Sequence, residues 1–467
     1  MTDIEQPSTD SAAAAGSGHR LTKFVALLKH NLEGPIVRNA ISLYGTTIVT
    51  SFLGFFYWFI AARLATTRAV GIASAVQSAA QLISLVCVLG LSTLLISELS
   101  IDRTHARTLM ITASAGVGAF ALIVSTVVGF GFHSFSSDIS KGVEGPAGIV
   151  IFVLLSSLTT ILLVLDDACI GLLRGDLQLR RNTVFAVSKL VLLPILILFW
   201  ATSSGIELVL AWLAGLGISL LFMAYELLNL TKGQSSRLDF RRIFEKRTLM
   251  FRHHWLNLSV QAPRLILPIL VAVIVSPQAN AAFTATWLVV GFVQIIPSLL
   301  STVLFALAPG DEEALHRECR KTMRISLVVS VVSAPFFFIF SGLILRVFGP
   351  QYAVAGTTMG ILGLATYPGA IKSHYVAISR VRGKMQQAVF LTIIGVTLEV
   401  GFSAAGGALW GLNGVALGLL VGLVVEAFVY APTVFGVLIE GRASRTISTE
   451  HVANIEEEAT SPDRNMQ

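Results

Sequence analysis

The sequence predicts an all-α polytopic membrane protein, with about 12 transmembrane helices in two parallel six-helix lobes around a central cavity. Three observations predict it. The first is composition: of 467 residues, 54% are hydrophobic and 13% charged, with mean hydropathy +0.77, whereas soluble domains carry roughly 25% charged residues. The second is the length of the apolar runs. A spanning helix needs about 20 mostly apolar residues at about 1.5 Å each, and segments near 38–62, 69–98, 108–132, 147–172, 183–204, 206–230, 251–275, 279–306, 322–348, 352–378, 386–410 and 412–438 qualify. The third is charge placement. With the N-terminus inside, 26 of the 33 Lys and Arg fall in loops and tails on one side, 4 on the other, and Lys189, Arg264 and Lys372 within spans. Basic loops mark the cytoplasmic side, so both termini are expected there and the span count is even.

Taken in order, residues 1–34 read as a cytoplasmic tail: polar at first, then a short amphipathic surface helix over 21–32 with Leu21, Phe24, Val25, Leu28 and Leu32 on one face. Spans 1–6 form an N-terminal lobe, 35–232. Residues 233–250 are a basic linker. Spans 7–12 form a C-terminal lobe, 251–440, and the polar composition of 441–467 predicts a disordered tail. Loops as short as Ser203-Ser204-Gly205 and Gly411 suit tight hairpins at the membrane edge. A membrane β-barrel is excluded, because stretches such as 149–165 are apolar nearly throughout instead of alternating.

The two halves repeat. Thr67 to Ala75 aligns with Pro277 to Ala285 at an offset of 210, Leu91-Ser92-Thr93 with Leu300-Ser301-Thr302 at 209, and Arg174-Gly175 with Arg382-Gly383 at 208. An even number of spans per repeat leaves the halves parallel, related by an axis along the membrane normal with a site between them.

Candidate functional residues are polar groups inside apolar spans. In span 7, Asn257, Gln261, Arg264 and Pro268 share one helical face. Arg264 lies 12 residues past Arg252, about 18 Å deep. A midplane arginine costs at least about 2.5–3.5 kcal/mol unless it meets water or a partner. A water-filled cavity holding an anionic ligand meets that need; a structural arginine on carbonyls opened by Pro263 is the alternative. Gln77 in span 2 and Asn39 in span 1 carry further polar faces, and spans 1, 2, 7 and 8 together would wall the cavity, although close packing through small polar residues explains span 2 alone as well. Asp167 and Lys189 lie at equal depth in spans 4 and 5 and suit a structural ion pair, with Asp166 unassigned. Lys372 in span 10 either meets an anionic headgroup or pairs with an acid. Glu399 and Glu426, in spans 11 and 12, lie at similar depth; two carboxylates held close would retain a proton or cation, while a lone protonated glutamate is the plainer reading.

No metal or cofactor is implied: Cys87, Cys169 and Cys319 have no ligand spacing, and Gly383-Lys384 is followed by Met385 instead of the Ser or Thr of a phosphate loop. The net charge of +6 follows from topology and anionic-lipid contact, not nucleic acid.

Leu53-Gly54-Phe55-Phe56-Tyr57-Trp58 through Ala61-Ala62-Arg63-Leu64, and Val70-Gly71-Ile72-Ala73-Ser74-Ala75, resemble the first two spans of polysaccharide-exporter flippases. So does Leu165-Asp166-Asp167-Ala168 through Arg181-Asn182 to Lys189-Leu190. In the second half, Leu300-Ser301-Thr302, Phe348-Gly349-Pro350-Gln351-Tyr352 and Arg380-Val381-Arg382-Gly383 are similar to the same family, which belongs to the multidrug, oligosaccharidyl-lipid and polysaccharide exporter superfamily. The similarity spans about 35–440. It implies alternating access, no enzymatic activity, and a polyprenyl-pyrophosphate oligosaccharide as substrate at the bacterial cytoplasmic membrane. It also implies an ion gradient, H+ or Na+, which would give Glu399 or Glu426 a role, and glycosyltransferases or a polymerase as pathway partners. An ion-coupled multidrug antiporter of the same fold is the nearest rival; an acidic cavity would suit it better than Arg264 does. A glycan polymerase or ligase would need a larger outer loop than 131–146.

Overall fold

A computed structural model describes residues 35–135, 145–200, 205–244, 247–308 and 311–460; all regular structure among them is helical. The proposed amphipathic helix at 21–32 and residues 461–467 lie outside the described residues. The helices are α1 (Pro35–Leu64), α2 (Thr67–Cys87), α3 (Leu91–Ile101), α4 (Ala106–Phe135), α5 (Gly145–Gly171), α6 (Gly175–Trp200), α7 (Ile206–Leu230), α8 (Phe240–Phe244), α9 (Arg247–Ile274), α10 (Pro277–Leu307), α11 (Glu312–Arg346), α12 (Gly356–Leu364), α13 (Thr366–Val381) and α14 (Met385–Thr460), with a 3-10 turn at Pro350–Ala355. Ten helices among the described residues are long and apolar enough to cross a membrane. Large apolar side chains such as Leu198, Phe199, Ile339 and Phe428 stand exposed on their outer faces, where lipid covers them.

Two expected boundaries differ. Span 2 is two helices, because Leu89 and Gly90 adopt positive φ (49° and 78°) and turn the chain between α2 and α3. Span 10 breaks at Ala365, between α12 and α13. Spans 11 and 12 meet where expected, at a hairpin in α14 where φ and ψ of Trp410 and Gly411 leave the helical region. The glycine takes φ 59°, ψ −140°, a conformation closed to residues with a Cβ, and so makes the hairpin. The helix then continues to Thr460 through the stretch whose polar composition predicts disorder; Ala, Arg and Glu there are good helix formers.

The repeat is visible atom by atom. Thr66 caps α2 by accepting from the Ala69 N–H at 3.2 Å, and Ser276 caps α10 by accepting from the Ala279 N–H at 3.1 Å; the two caps are 210 residues apart. At the other end of each lobe, Arg174 N–H donates to the Cys169 carbonyl at 2.8 Å and Lys384 N–H to the Ser379 carbonyl at 2.9 Å, around the positive-φ residues Leu173 and Gly383. The structural offset there is therefore 210 as well, and Arg174 corresponds to Lys384, not to Arg382 as the dipeptide match suggests.

The repeat copies pack against each other. Asn280 donates to the Gly71 carbonyl and to Ser74 Oγ, both at 2.8 Å, and Thr284 Oγ1 lies 3.0 Å from Ser74 Oγ. Ser74 and Thr284 are 210 residues apart, so they are equivalents meeting on the axis that relates the lobes. The backbones touch: a Cβ on Gly71 would lie 1.7 Å from the Pro277 carbonyl oxygen. Beside this seam, Phe55 packs on Phe292 and Phe348 with centroids 5.9 and 5.4 Å away, and Arg63 Nε donates to the Val347 carbonyl at 2.9 Å. All these contacts use the last three turns of α1. Ile48 and Phe52, nearer the basic loops, are exposed.

With the three native cysteines replaced by Ala, Ser74→Cys/Thr284→Cys is expected to cross-link under mild oxidation, read as a mobility shift after cleavage in the 233–250 linker. Adding Gly71→Leu should suppress the cross-link by forcing the seam apart. Equal cross-linking with and without the Gly71→Leu substitution would mean the seam is not a tight contact.

Candidate functional site

The polar stripe of α9 turns toward the N-terminal lobe. Ser259 marks the opposite side of the helix: its hydroxyl lies 2.8 Å from Thr392 Oγ1 in the first arm of α14. Arg264, Asn257 and Gln261 sit about 140–200° round the helix from Ser259 at 100° per residue. His254, next to them on the wheel, bonds the Val86 backbone of α2. Asn257, Gln261 and Arg264 are exposed, whereas Pro263 and Pro268 are buried. Protein nonetheless surrounds Arg264 on most sides, as expected for a residue lining an internal space. Among the described residues Arg264 has neither a carboxylate nor a hydrogen-bond partner. Asn257 Oδ1 accepts from Arg380 Nη2 of α13 at 3.1 Å. That places a second cation beside the stripe, which the sequence reading left out because Arg380 reads as an ordinary basic residue at a helix end.

Gln77 is half-buried and lines a narrow crevice with Tyr57, Trp58 and Trp212. The side chain of Asn39 lies outside the described residues. Ser74, one turn before Gln77, is occupied by the seam.

Asp167 and Lys189 are not brought together. Arg181 makes the bidentate ion pair, with Asp166: Nε donates to Oδ1 at 3.1 Å and Nη2 to Oδ2, and Asn182 adds a bond to Oδ2 at 3.3 Å. Asp167 takes a hydrogen bond from Ser92 instead. Lys189 lies about 80° round α6 from Arg181, on the side that packs on α1 and α7. Its Nζ sits 3.4 Å from the Trp212 ring centroid, 4.4 Å from Phe185 and 5.0 Å from Tyr57, and it is 3% exposed. Each such contact reaches about 2 kcal/mol when desolvated, which lets a buried ammonium do without a carboxylate.

Lys372, Glu399 and Glu426 form one buried cluster. Lys372 Nζ is 2.7 Å from Glu399 Oε1. It donates to Glu426 Oε1 at 3.2 Å and lies 3.0 Å from Oε2, where the angle is not that of a hydrogen bond. All three residues are at most 8% exposed. The glutamates meet because the two arms of α14 approach closely through Gly414, Gly418 and Gly422, spaced one turn apart on one face. A Cβ at Gly395 would lie 2.3 Å from the Glu426 carboxyl, so only glycine leaves room for that side chain. Tyr375 and Tyr430 stack beside the cluster with centroids 4.1 Å apart. With both carboxylates ionised, one ammonium leaves the cluster with a net charge of −1. Neutrality in a low-dielectric interior requires one further proton or monovalent cation. Lys372 is thus engaged with acids, not free for an external headgroup, and Glu399 and Glu426 share one site.

Among the described residues no group of three or more His, Cys, Asp or Glu is placed to hold a metal ion.

Removing Lys372 would leave two buried carboxylates unopposed. Lys372→Met is expected to lower stability by about 3–5 kcal/mol, read from thermal unfolding in detergent, whereas Glu426→Gln, which keeps the Lys372–Glu399 pair, should cost about 1 kcal/mol. Equal melting of Lys372→Met and the unsubstituted chain would show that the cluster is not held by charge.

No protein-family model and no curated protein matches the sequence. The fold matches solved structures. One is an inward-facing multidrug resistance MATE family transporter of the MOP superfamily, with TM-score 0.64, 17% identity, and coverage of 88% of this chain and 99% of that one. An outward-facing MATE family transporter of the same superfamily gives TM-score 0.53 at 18% identity, covering 89% and 96%. A MOP superfamily transporter from Pyrococcus furiosus, for which a reversed polarity of the binding pocket suggests a different function, gives TM-score 0.55 at 19% identity, covering 88% and 95%.

Proposed function

We propose that this chain is an alternating-access transporter that moves a lipid-linked oligosaccharide across the bacterial cytoplasmic membrane, holding the pyrophosphate headgroup between lobes 35–232 and 251–440. The observation that carries the reading is Arg264: a cation 12 residues past Arg252, about 18 Å by the rise per residue, exposed on the side facing the other lobe, with no partner among the described residues. An arginine in that position is stabilised by an anion, and its planar fork suits phosphate oxygens. Gln261, Asn257 and Arg380 extend the polar surface. The fold supports alternating access, since similar chains are solved both inward- and outward-facing.

In this reading the Lys372–Glu399–Glu426 cluster couples transport to an ion. Its charge deficit is filled by a proton or Na+, and gain or loss of that ion changes how α13 and both arms of α14 are held together. Glycosyltransferases or a polymerase would supply and consume the saccharide.

A second reading, export of drugs, is favoured by the fold match to multidrug resistance transporters. Against cationic drugs stands the engagement of Asp166 by Arg181 and of both C-lobe glutamates by Lys372.

Flipping of a labelled polyprenyl-pyrophosphate oligosaccharide in proteoliposomes tests the proposal. The wild-type chain should flip it, and Arg264→Ala should be slowed about 10- to 100-fold, the value of one charge-assisted phosphate contact. Glu426→Gln should still flip down a concentration gradient but lose its response to an imposed pH or Na+ gradient. Efflux of organic cations without flipping would replace the saccharide by drugs.

A further inference from the structure

A second site lies far from the seam, on the outer face of the C-terminal lobe. α11 and the end of the second arm of α14 enclose an open cleft of 440 Å³. Leu327, Val328, Val331 and Val332 form one wall, and Leu438 and Ile439 the other. At its mouth stand Arg320 and Arg324, one turn apart on the face of α11 that carries the valines. Arg320 Nη2 reaches the Leu438 carbonyl at 3.4 Å, which holds it at the junction of the two helices. Arg324 is exposed and has no carboxylate partner among the described residues, while the nearby Glu318 is already engaged by Arg317 and Lys321 at 3.1 and 3.0 Å.

We propose that this cleft binds one anionic glycerophospholipid of the leaflet on the basic-loop side, with its phosphate between Arg320 and Arg324 and an acyl chain along the valine wall. Two features select that occupant. Two arginines pair a phosphate better than any neutral headgroup, since each adds charge-assisted, forked hydrogen bonds, and basic pockets between helices near the membrane surface attract anionic lipid. The dimensions also fit. Arg320 to Val332 is 12 residues of helix, about 18 Å, against about 15 Å for half a hydrocarbon core of about 30 Å. The cleft thus runs from headgroup level to near the midplane, as one lipid does. The site is independent of what the lobes transport. It would tie α11, whose first turns carry Arg317, Arg320, Lys321 and Arg324, to the arm of α14 that carries Glu426.

Native mass spectrometry of the purified full-length chain, titrated with phosphatidylglycerol or phosphatidylcholine, tests this. The wild-type chain should retain one phosphatidylglycerol more tightly than phosphatidylcholine. Arg320→Gln/Arg324→Gln should weaken that lipid about 30-fold, from about 1 kcal/mol per basic residue, and leave phosphatidylcholine unchanged. Val328→Trp/Val331→Trp, which fills the cleft and keeps both arginines, should weaken both lipids. Unfolding temperatures near the wild-type value certify that the variants are folded. Unchanged phosphatidylglycerol binding in either folded variant overturns the proposal. Displacement by soluble glycerol phosphate at the lipid's own concentration would do so too, leaving a phosphate site without a lipid. So would stronger lipid binding after removal of residues 442–467, which would assign the cleft to the chain's own C-terminal segment.

Discussion

Inside a bilayer no water stands ready to solvate a charge, so every ionised side chain in a span must find its partner in the protein or face an internal space that water or ligand can reach. The arrangement of this molecule follows that constraint. Arg181 takes Asp166 in a bidentate pair. Lys189 has only aromatic rings and sits on three of them. Lys372 is shared by two glutamates. Arg264 follows none of these solutions: it is exposed on the side of α9 facing the other lobe. Three charges are met by neighbouring side chains, and the fourth, Arg264, has no such partner among the described residues. That contrast, more than the depth of any one residue, makes Arg264 the place to look for a substrate.

The second organising element is the duplication. Each repeat begins its second spanning helix with a hydroxyl cap, Thr66 or Ser276, and the two capped ends are pressed together around the axis that relates them. The result is a small polar seam of one amide, two hydroxyls and a bare glycine against a carbonyl. Such polar contacts are individually worth about 1 kcal/mol, and around them α2 packs on α9 and α10 in an apolar core that both lobes share.

Charge imbalance of one unit in the C-terminal lobe is a different kind of device. The glycine face of α14 brings two carboxylates within reach of one ammonium. In the proposed coupling, gain or loss of a proton or cation there is felt by α13 and both arms of α14 together.

Much of this was legible in the chain alone. Apolar runs placed the spans and the offset near 210 announced the axis, because length, hydropathy and repetition are properties of the chain read along its own direction. The depth of Arg264, Glu399 and Glu426 was legible for the same reason: residue count converts to height at 1.5 Å per step. Rotation about each helix axis was not. Asp167 and Lys189 have matching heights, but α6 turns Lys189 toward α1 and α7, and the pair formed is Asp166 with Arg181. The break at Leu89 and Gly90, the ring cage of Lys189, the capture of Lys372 by two acids and the cleft below Arg320 also depend on which faces meet. The sequence by itself therefore determined membrane class, span heights and duplication. Only tertiary packing decided which charges pair and which stands alone, because that choice depends on helix rotation and on the gaps small residues leave between helices.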